Sequence, residues 1–72
     1  HDSRIADFVT INPLVAVSGD VCLDEDVTMG THSSILQGLN VGAGSFVGAG
    51  AVVTKNVEPG TTVVGVPAKP LP

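Results

Sequence analysis

The sequence predicts an all-β fold, a parallel β-helix of hexapeptide repeats with about three coils, on three observations. Every sixth residue from Ile5 is aliphatic: Ile5, Ile11, Val17, Leu23, Met29, Ile35, Val41, Val47 and Val53. Three residues further on, each unit carries a corner residue: Phe8, Leu14, Asp20, Asp26, His32, Gly38, Gly44, Gly50 and Asn56. Most of these are Gly, Asn, Asp or His, the types that best tolerate positive φ. Nine glycines and five prolines in 72 residues oppose long helices.

A period of six cannot mark one face of a helix, because six steps of about 100° carry a position around the axis. Six is even, so on extended backbone it keeps a side chain on one face. Short β segments joined by regular corners satisfy both constraints. Three units per coil place residues eighteen apart one above another, about 4.8 Å apart. The interior ladders are then Ile5–Leu23–Val41, Ile11–Met29–Val47 and Val17–Ile35–Val53.

Taken in order, nine units run from residue 5 to residue 58. The residue after each interior position is mostly small or polar, from Ala6 to Thr54, with Leu36 the exception. The fifth residue is small or aliphatic, from Val9 to Val57. Phe8 and Leu14 do not fit a left-handed corner, so the chain is expected to turn differently there. After Val57 the rhythm stops. The organisation is thus a β-helix over residues 1–58 and a Pro/Gly-rich extended C-terminal tail over 59–72, which closes the C-terminal end of the stack. No cap is visible ahead of Ile5, and the chain starts at His1 without a Met. Both lead to the expectation that this is the C-terminal fragment of a longer protein.

Composition narrows the function. The formal net charge is −4, and only Arg4, Lys55 and Lys69 are basic, so the basic footprint of a nucleic-acid binder is missing. The apolar runs are only a few residues long, which excludes a transmembrane helix and a signal-peptide core. One cysteine, Cys22, forms no internal disulfide framework, and two histidines with it cannot make an all-His/Cys zinc site. Cys22 reads as a packed small hydrophobe and His32 as a corner residue. The acids of "LDEDV" read as a solvated corner, and Gly42, Gly44, Gly48 and Gly50 as corner glycines.

"VGAGAVVTKNV" followed by "VVGVPAKPL" resembles the C-terminal end of hexapeptide-repeat acyltransferases, whose fold is the left-handed parallel β-helix. "HDSRIADFVTINP" and "VSGDVCL" narrow the likeness to sugar acetyltransferases, the group of sialic-acid O-acetyltransferases and UDP-4-amino-sugar N-acetyltransferases. The resemblance covers essentially the whole chain. It implies a cytoplasmic homotrimer with acetyl-CoA as co-substrate, lying in the cleft between neighbouring prisms. It also implies a sugar acceptor held by a domain that precedes the β-helix, so this segment alone is expected to be inactive. The left hand of the coil comes from the resemblance, because periodicity does not fix it.

Carried onto this sequence, the family's His-acid motif makes His1 the general base and Asp2 the group that raises its basicity. The glycine of the following turn is Gly19, whose backbone N–H would polarise the thioester carbonyl. Cofactor contacts fall at Thr10, Thr31 and Ala49; at Thr10 the family often carries His. His1 and Gly19 are eighteen apart, as are Thr31 and Ala49, which suits vertical neighbours in a three-unit coil.

The chemistry suits these residue types. Acetyl transfer needs a proton acceptor for the nucleophile and donors for the oxyanion that develops on the carbonyl. Histidine titrates near neutrality, and an adjacent carboxylate strengthens it as a base. Lys69 reads either as a contact to a cofactor phosphate or as an ordinary solvated lysine. Two other classes fit less well. A hexapeptide-repeat metalloenzyme needs three metal-binding histidines, and only His1 and His32 are present. A non-catalytic structural β-helix or trimerisation module is the remaining alternative, and it gives the His-Asp opening no purpose.

Overall fold

A computed structural model describes residues 3–71. The first nine strands are two residues each: Arg4–Ile5 (β1), Thr10–Ile11 (β2), Ala16–Val17 (β3), Cys22–Leu23 (β4), Thr28–Met29 (β5), Ser34–Ile35 (β6), Asn40–Val41 (β7), Phe46–Val47 (β8) and Val52–Val53 (β9). Thr62–Val64 (β10) and Lys69–Pro70 (β11) follow. Three parallel sheets form the sides of a prism: β1-β4-β7 is the first face, β2-β5-β8 the second and β3-β6-β9 the third. The second face is extended by β10 and then β11.

The register is the one the period requires. Ile5 pairs with Leu23 and Leu23 with Val41. Ile11 pairs with Met29 and Met29 with Val47. Val17 pairs with Ile35 and Ile35 with Val53. The core is this aliphatic column: Leu23, Met29, Ile35, Val41, Val47 and Val53 are all buried. It is completed by Val21, Val27 and Ala51 from the fifth positions. Both phenylalanines lie outside it, Phe8 at 80% and Phe46 at 46% exposure.

Two fifth positions carry hydroxyls, and each hydroxyl is satisfied, as burial demands. The Ser33 Oγ donates to the Gly30 carbonyl at 2.6 Å. The Ser45 Oγ donates to the Glu58 carbonyl at 2.8 Å and accepts from the Thr61 N–H at 3.2 Å. Ser45 therefore ties the third coil to the chain that follows it.

The corners differ from expectation in an instructive way. Asp20, Asp26, His32, Gly38, Gly44 and Gly50 take positive φ, as anticipated, but so do Phe8 and Leu14, both at φ 62°. The coil leaves them no alternative. The N–H of Asp26 donates to Asp7 (3.3 Å) and that of His32 to Pro13 (3.3 Å), so these corners carry the same stacking bonds as those at Gly38, Gly44 and Gly50. A different turn at Phe8 or Leu14 would displace those carbonyls. A left-handed conformation costs an L-residue roughly 1–2 kcal/mol, less than losing register along the prism.

Gly42 and Gly48 also depart from the corner reading, since neither has positive φ. They are glycines because the tail approaches closely. A Cβ on Gly42 would overlap the backbone of Pro59, and one on Gly48 would sit 2.8 Å from Cγ1 of Val64.

At the ninth unit the repeat shortens by two residues. Val57 bridges to Val41 and Val63 pairs with Val47, each sixteen residues back instead of eighteen. Asn56, a corner residue by the period, does not take positive φ. Its Oδ1 instead accepts the Asn40 N–H at 2.9 Å. The segment after residue 58 is therefore more than a lid, because Val63 is buried and extends the second ladder. Beyond β10 the chain turns through Gly65 and the cis Val66–Pro67 bond, and β11 returns antiparallel to β10. That return also reaches the third face, where Val52 donates to Gly65 (3.1 Å) and Ala68 donates to Val52 (2.8 Å).

Candidate active site at the prism corners

His1 and Asp2, the base and its acidic partner by sequence, lie outside the described residues. Gly19 is half-buried on the third corner, between the third and first faces, just ahead of Asp20. Its carbonyl accepts the Gly38 N–H at 3.1 Å, and its own N–H donates to no carbonyl among the described residues.

That pattern recurs and has a simple origin. At each regular corner the residue after the interior position donates to the next coil, as Ser18 does to Ile35 and Gly30 to Val47. The positive-φ residue two further on donates the opposite way, as Gly38 does to Gly19 and Gly50 to Thr31. The N–H of the residue between them is left over. Gly19, Thr31 and Ala49 all occupy this position, and among the described residues none donates to a backbone carbonyl. Except at Pro13, which has no N–H, each regular corner thus leaves a backbone donor, the kind of group that polarises a carbonyl or holds an amide without a side chain. Sequence reasoning assigned such a donor to Gly19 alone. Its recurrence at Thr31 and Ala49 follows from the coil and has no residue-type signature. Gly19 differs in having no side chain to crowd the approach.

Thr31 and Ala49 share the second corner, between the second and third faces, one coil apart and both exposed. Thr10 lies in β2 on the second face, exposed, in a column with Thr28 and Phe46. In a triangular section each face lies opposite the corner made by the other two, so Thr10 and Gly19 look out from opposite sides of the prism. One chain brings Thr31 and Ala49 together, sets Thr10 on the adjoining face, and leaves Gly19 on a separate corner.

Gly30, which the sequence did not single out, holds the Thr31–Ala49 corner. It is buried, and a Cβ there would lie 2.7 Å from the Ala49 nitrogen and 2.8 Å from the Val47 carbonyl oxygen. The bare backbone lets two coils close up beneath the Ala49 N–H, so Gly30 is a positioning residue for that amide. Its signal in the sequence was the glycine after an interior position, but the close neighbour that demands it is nineteen residues away.

Of the other residues weighed, His32 is an exposed second-corner residue with φ 62°, as expected. Asp24, Glu25 and Asp26 are exposed at the first corner. Cys22 is half-buried and sits on the outward side of the first face, paired with Arg4 and Asn40, so it is not a core hydrophobe. Among the described residues there is no helix long and apolar enough to cross a membrane.

No protein-family model matches the chain. The structure superposes with a TM-score of 0.99 over its full length on PerB from Caulobacter crescentus, a crystal structure in complex with CoA and GDP-perosamine. The sequences are 32% identical, and the chain spans 35% of PerB. Superposition at that level distinguishes mirror images, so the hand of the coil is shared, and it is left-handed. Its structural neighbours are sugar N-acetyltransferases of the hexapeptide-repeat left-handed β-helix type.

The acetyltransferase domain of PglB from Neisseria gonorrhoeae FA1090 gives a TM-score of 0.97 at 41% identity, over 99% of this chain and 35% of that one. A 2,3,4,5-tetrahydropyridine-2,6-dicarboxylate N-acetyltransferase of Staphylococcus aureus (strain bovine RF122 / ET3-1) is 49% identical over 49 residues, 68% of this chain and 20% of that protein. A Schizosaccharomyces pombe (strain 972 / ATCC 24843) protein bearing the name "putative acetyltransferase" is 40% identical over 65 residues, 90% of this chain and 31% of that protein. This hexapeptide-repeat chain therefore spans about a fifth to a third of the length of the curated relatives it matches.

Proposed function

We propose that the protein of which this β-helix is part transfers acetyl from acetyl-CoA to an amino or hydroxyl group of a sugar, nucleotide-linked or a sialic acid. The observation that carries the reading is the full-length superposition on PerB, whose structure holds CoA together with a nucleotide-linked amino sugar. PglB's acetyltransferase domain, also similar along nearly the whole chain, has been solved with acetyl coenzyme A. The amino sugar bound to PerB favours N-acetylation over O-acetylation.

In this reading His1 takes the proton as the acceptor nitrogen or oxygen attacks the thioester carbonyl, and Asp2 orients and strengthens it. The Gly19 N–H donates to the oxygen as negative charge develops there. The tetrahedral species collapses with loss of the CoA thiolate, with no covalent acetyl-enzyme. Thr31 and Ala49 offer corner amides to the pantetheine arm, and Thr10 contacts it from the second face. Because one chain sets Gly19 apart from Thr10, Thr31 and Ala49, a complete site needs two copies. Each copy then contributes different residues to each junction. Such head-to-tail contacts close into a ring, and a homotrimer is the assembly proposed. The setting is cytoplasmic, where acetyl-CoA is at hand.

The test supplies the full-length protein with acetyl-CoA and a panel of amino and hydroxy sugars, following free thiol release. Activity that falls by at least about a hundredfold in His1→Ala, with acetyl-CoA binding retained, is the expected result. Unchanged turnover in that variant, or a burst of acetyl-enzyme, overturns the mechanism. A structural or trimerisation module would release no thiol with any acceptor.

A further inference from the structure

The spare amides at the corners are not all backed alike. A peptide N–H shares its plane with the carbonyl of the residue before it. A hydrogen bond accepted by that carbonyl polarises the whole unit and makes the N–H a stronger donor. The carbonyl ahead of Gly19 is that of Ser18, and it accepts the Ser3 hydroxyl at 3.0 Å. The carbonyl ahead of Thr31 is that of Gly30, and it accepts the Ser33 hydroxyl at 2.6 Å. At Asp7, Glu25, Gln37, Ala43 and Ala49 the preceding carbonyl receives no side-chain donor among the described residues. Serine hydroxyls therefore stand behind Gly19 and Thr31 and behind no other spare amide of the regular corners.

The two serines differ in what they supply. At Thr31 the turn is already closed, because the Ser33 N–H also donates to the Gly30 carbonyl at 3.0 Å. Similar turn bonds reach Gly42 from Ser45 (3.2 Å) and Gly48 from Ala51 (3.1 Å). The Ser18 carbonyl accepts no main-chain N–H among the described residues, so Ser3, reaching across from the adjoining coil, provides its bond. That bond fixes the plane of the Ser18–Gly19 peptide at a residue whose own backbone freedom is greatest. Ser45 makes the corresponding coil-to-coil bond to the Glu58 carbonyl, but Pro59 follows and has no N–H to strengthen. A structural tie thus accounts for Ser45, whereas the Ser3 bond ends on a free donor.

We propose that Ser3 is a positioning residue for acetyl transfer, orienting and strengthening the Gly19 N–H through the Ser18 carbonyl. The inference rests on the acetyltransfer reading, in which that N–H meets the thioester oxygen. Ser3 itself touches neither substrate. Charge on the oxygen is greatest in the transition state, so the gain from a stronger donor is greatest there and the effect falls on kcat.

The experiment uses the full-length protein and the variants Ser3→Ala and Ser3→Thr. Three quantities are measured: the Gly19 amide nitrogen resonance without ligand, the carbonyl stretch of bound acetyl-CoA labelled with carbon-13 at the thioester, and the kinetic constants. Ser3→Ala is expected to move the Gly19 resonance and to return the carbonyl stretch toward its value in free acetyl-CoA. It should lower kcat roughly tenfold, with KM for acetyl-CoA changed less than about twofold. Ser3→Thr keeps the hydroxyl and should restore all three. An unaltered carbonyl stretch and kcat in Ser3→Ala overturn the proposal. So does a threonine variant no better than alanine, or a loss of acetyl-CoA affinity as large as the loss of turnover, which marks a merely structural role. Failure of acetyl-CoA to bind the unsubstituted protein overturns the acetyltransfer reading and the inference with it; binding with a carbonyl stretch indifferent to Ser3 overturns the inference alone.

Discussion

The two ends of the prism treat their strand edges differently. At the C-terminal end, the last strand of every face has a partner: Val57 on Val41, β10 on β8, and Gly65 and Ala68 on Val52. At the N-terminal end, β1, β2 and β3 each pair on one side only, among the described residues. The interior column records the same contrast. Ile35 and Met29 are 0% exposed, while Ile5 is 52% and Ile11 41% exposed, although all four occupy the same position in the repeat. In a solenoid a residue's energetic weight depends on the coils above and below it, since each repeat contacts only its neighbours. Identical pattern positions are therefore not equivalent in stability.

This contrast can be broken or sharpened in several ways. The largest effect is expected in the middle of the column, where Ile35→Ala should cost about 3 kcal/mol by urea unfolding, through lost burial and a cavity. The matching change in the first coil, Ile5→Ala, should cost less than about 1 kcal/mol in a protein of these 72 residues, since Ile5 is 52% exposed among the described residues. Equal costs would show that the first coil is buried in solution and erase the distinction.

Next in size is Ser45→Val, which keeps bulk but removes the bonds to Glu58 and Thr61. It should cost about 1–3 kcal/mol, with faster amide exchange at Gly60 and Val63 and little change at Leu23. Uniform acceleration through the molecule would argue against a local tie between coil and tail.

The smallest effect has the opposite sign. Phe8→Gly and Leu14→Gly relieve a left-handed conformation without removing a buried side chain, because Phe8 is 80% and Leu14 73% exposed. Each should raise stability by about 0.5–1 kcal/mol, the relief of strain partly offset by the freedom glycine gains when unfolded. A loss would mean that these apolar corners are covered in the folded protein.

Legibility follows the same physical lines. The ladders from Ile5 to Val53 could be read because an even period and an apolar interior are both local properties. Phe8 and Leu14 could not, since their own preferences oppose the conformation and the deciding bonds come from Asp26 and His32 a coil away. At the site, the eighteen-residue spacing of Thr31 and Ala49 placed both on one corner. The spare amides at Thr31 and Ala49 stayed hidden, because any residue type but proline supplies an N–H. Gly30 was hidden for another reason, as its neighbour Ala49 is distant in sequence.

By itself the sequence determined a β-helix of three-unit coils and the rungs on which its chemistry-bearing residues sit, because a side chain's inward or outward direction on extended backbone follows from parity alone. The tertiary structure decided three further matters: the two-residue shortening at Val57, the pairing of every edge at the C-terminal end, and the placing of the candidate residues Thr10 and Gly19 on opposite sides of the prism. These depend on which groups meet after the chain has wound three times around. That meeting is set by closure of the coil and by bonds such as Asn56 to Asn40, which no local pattern encodes.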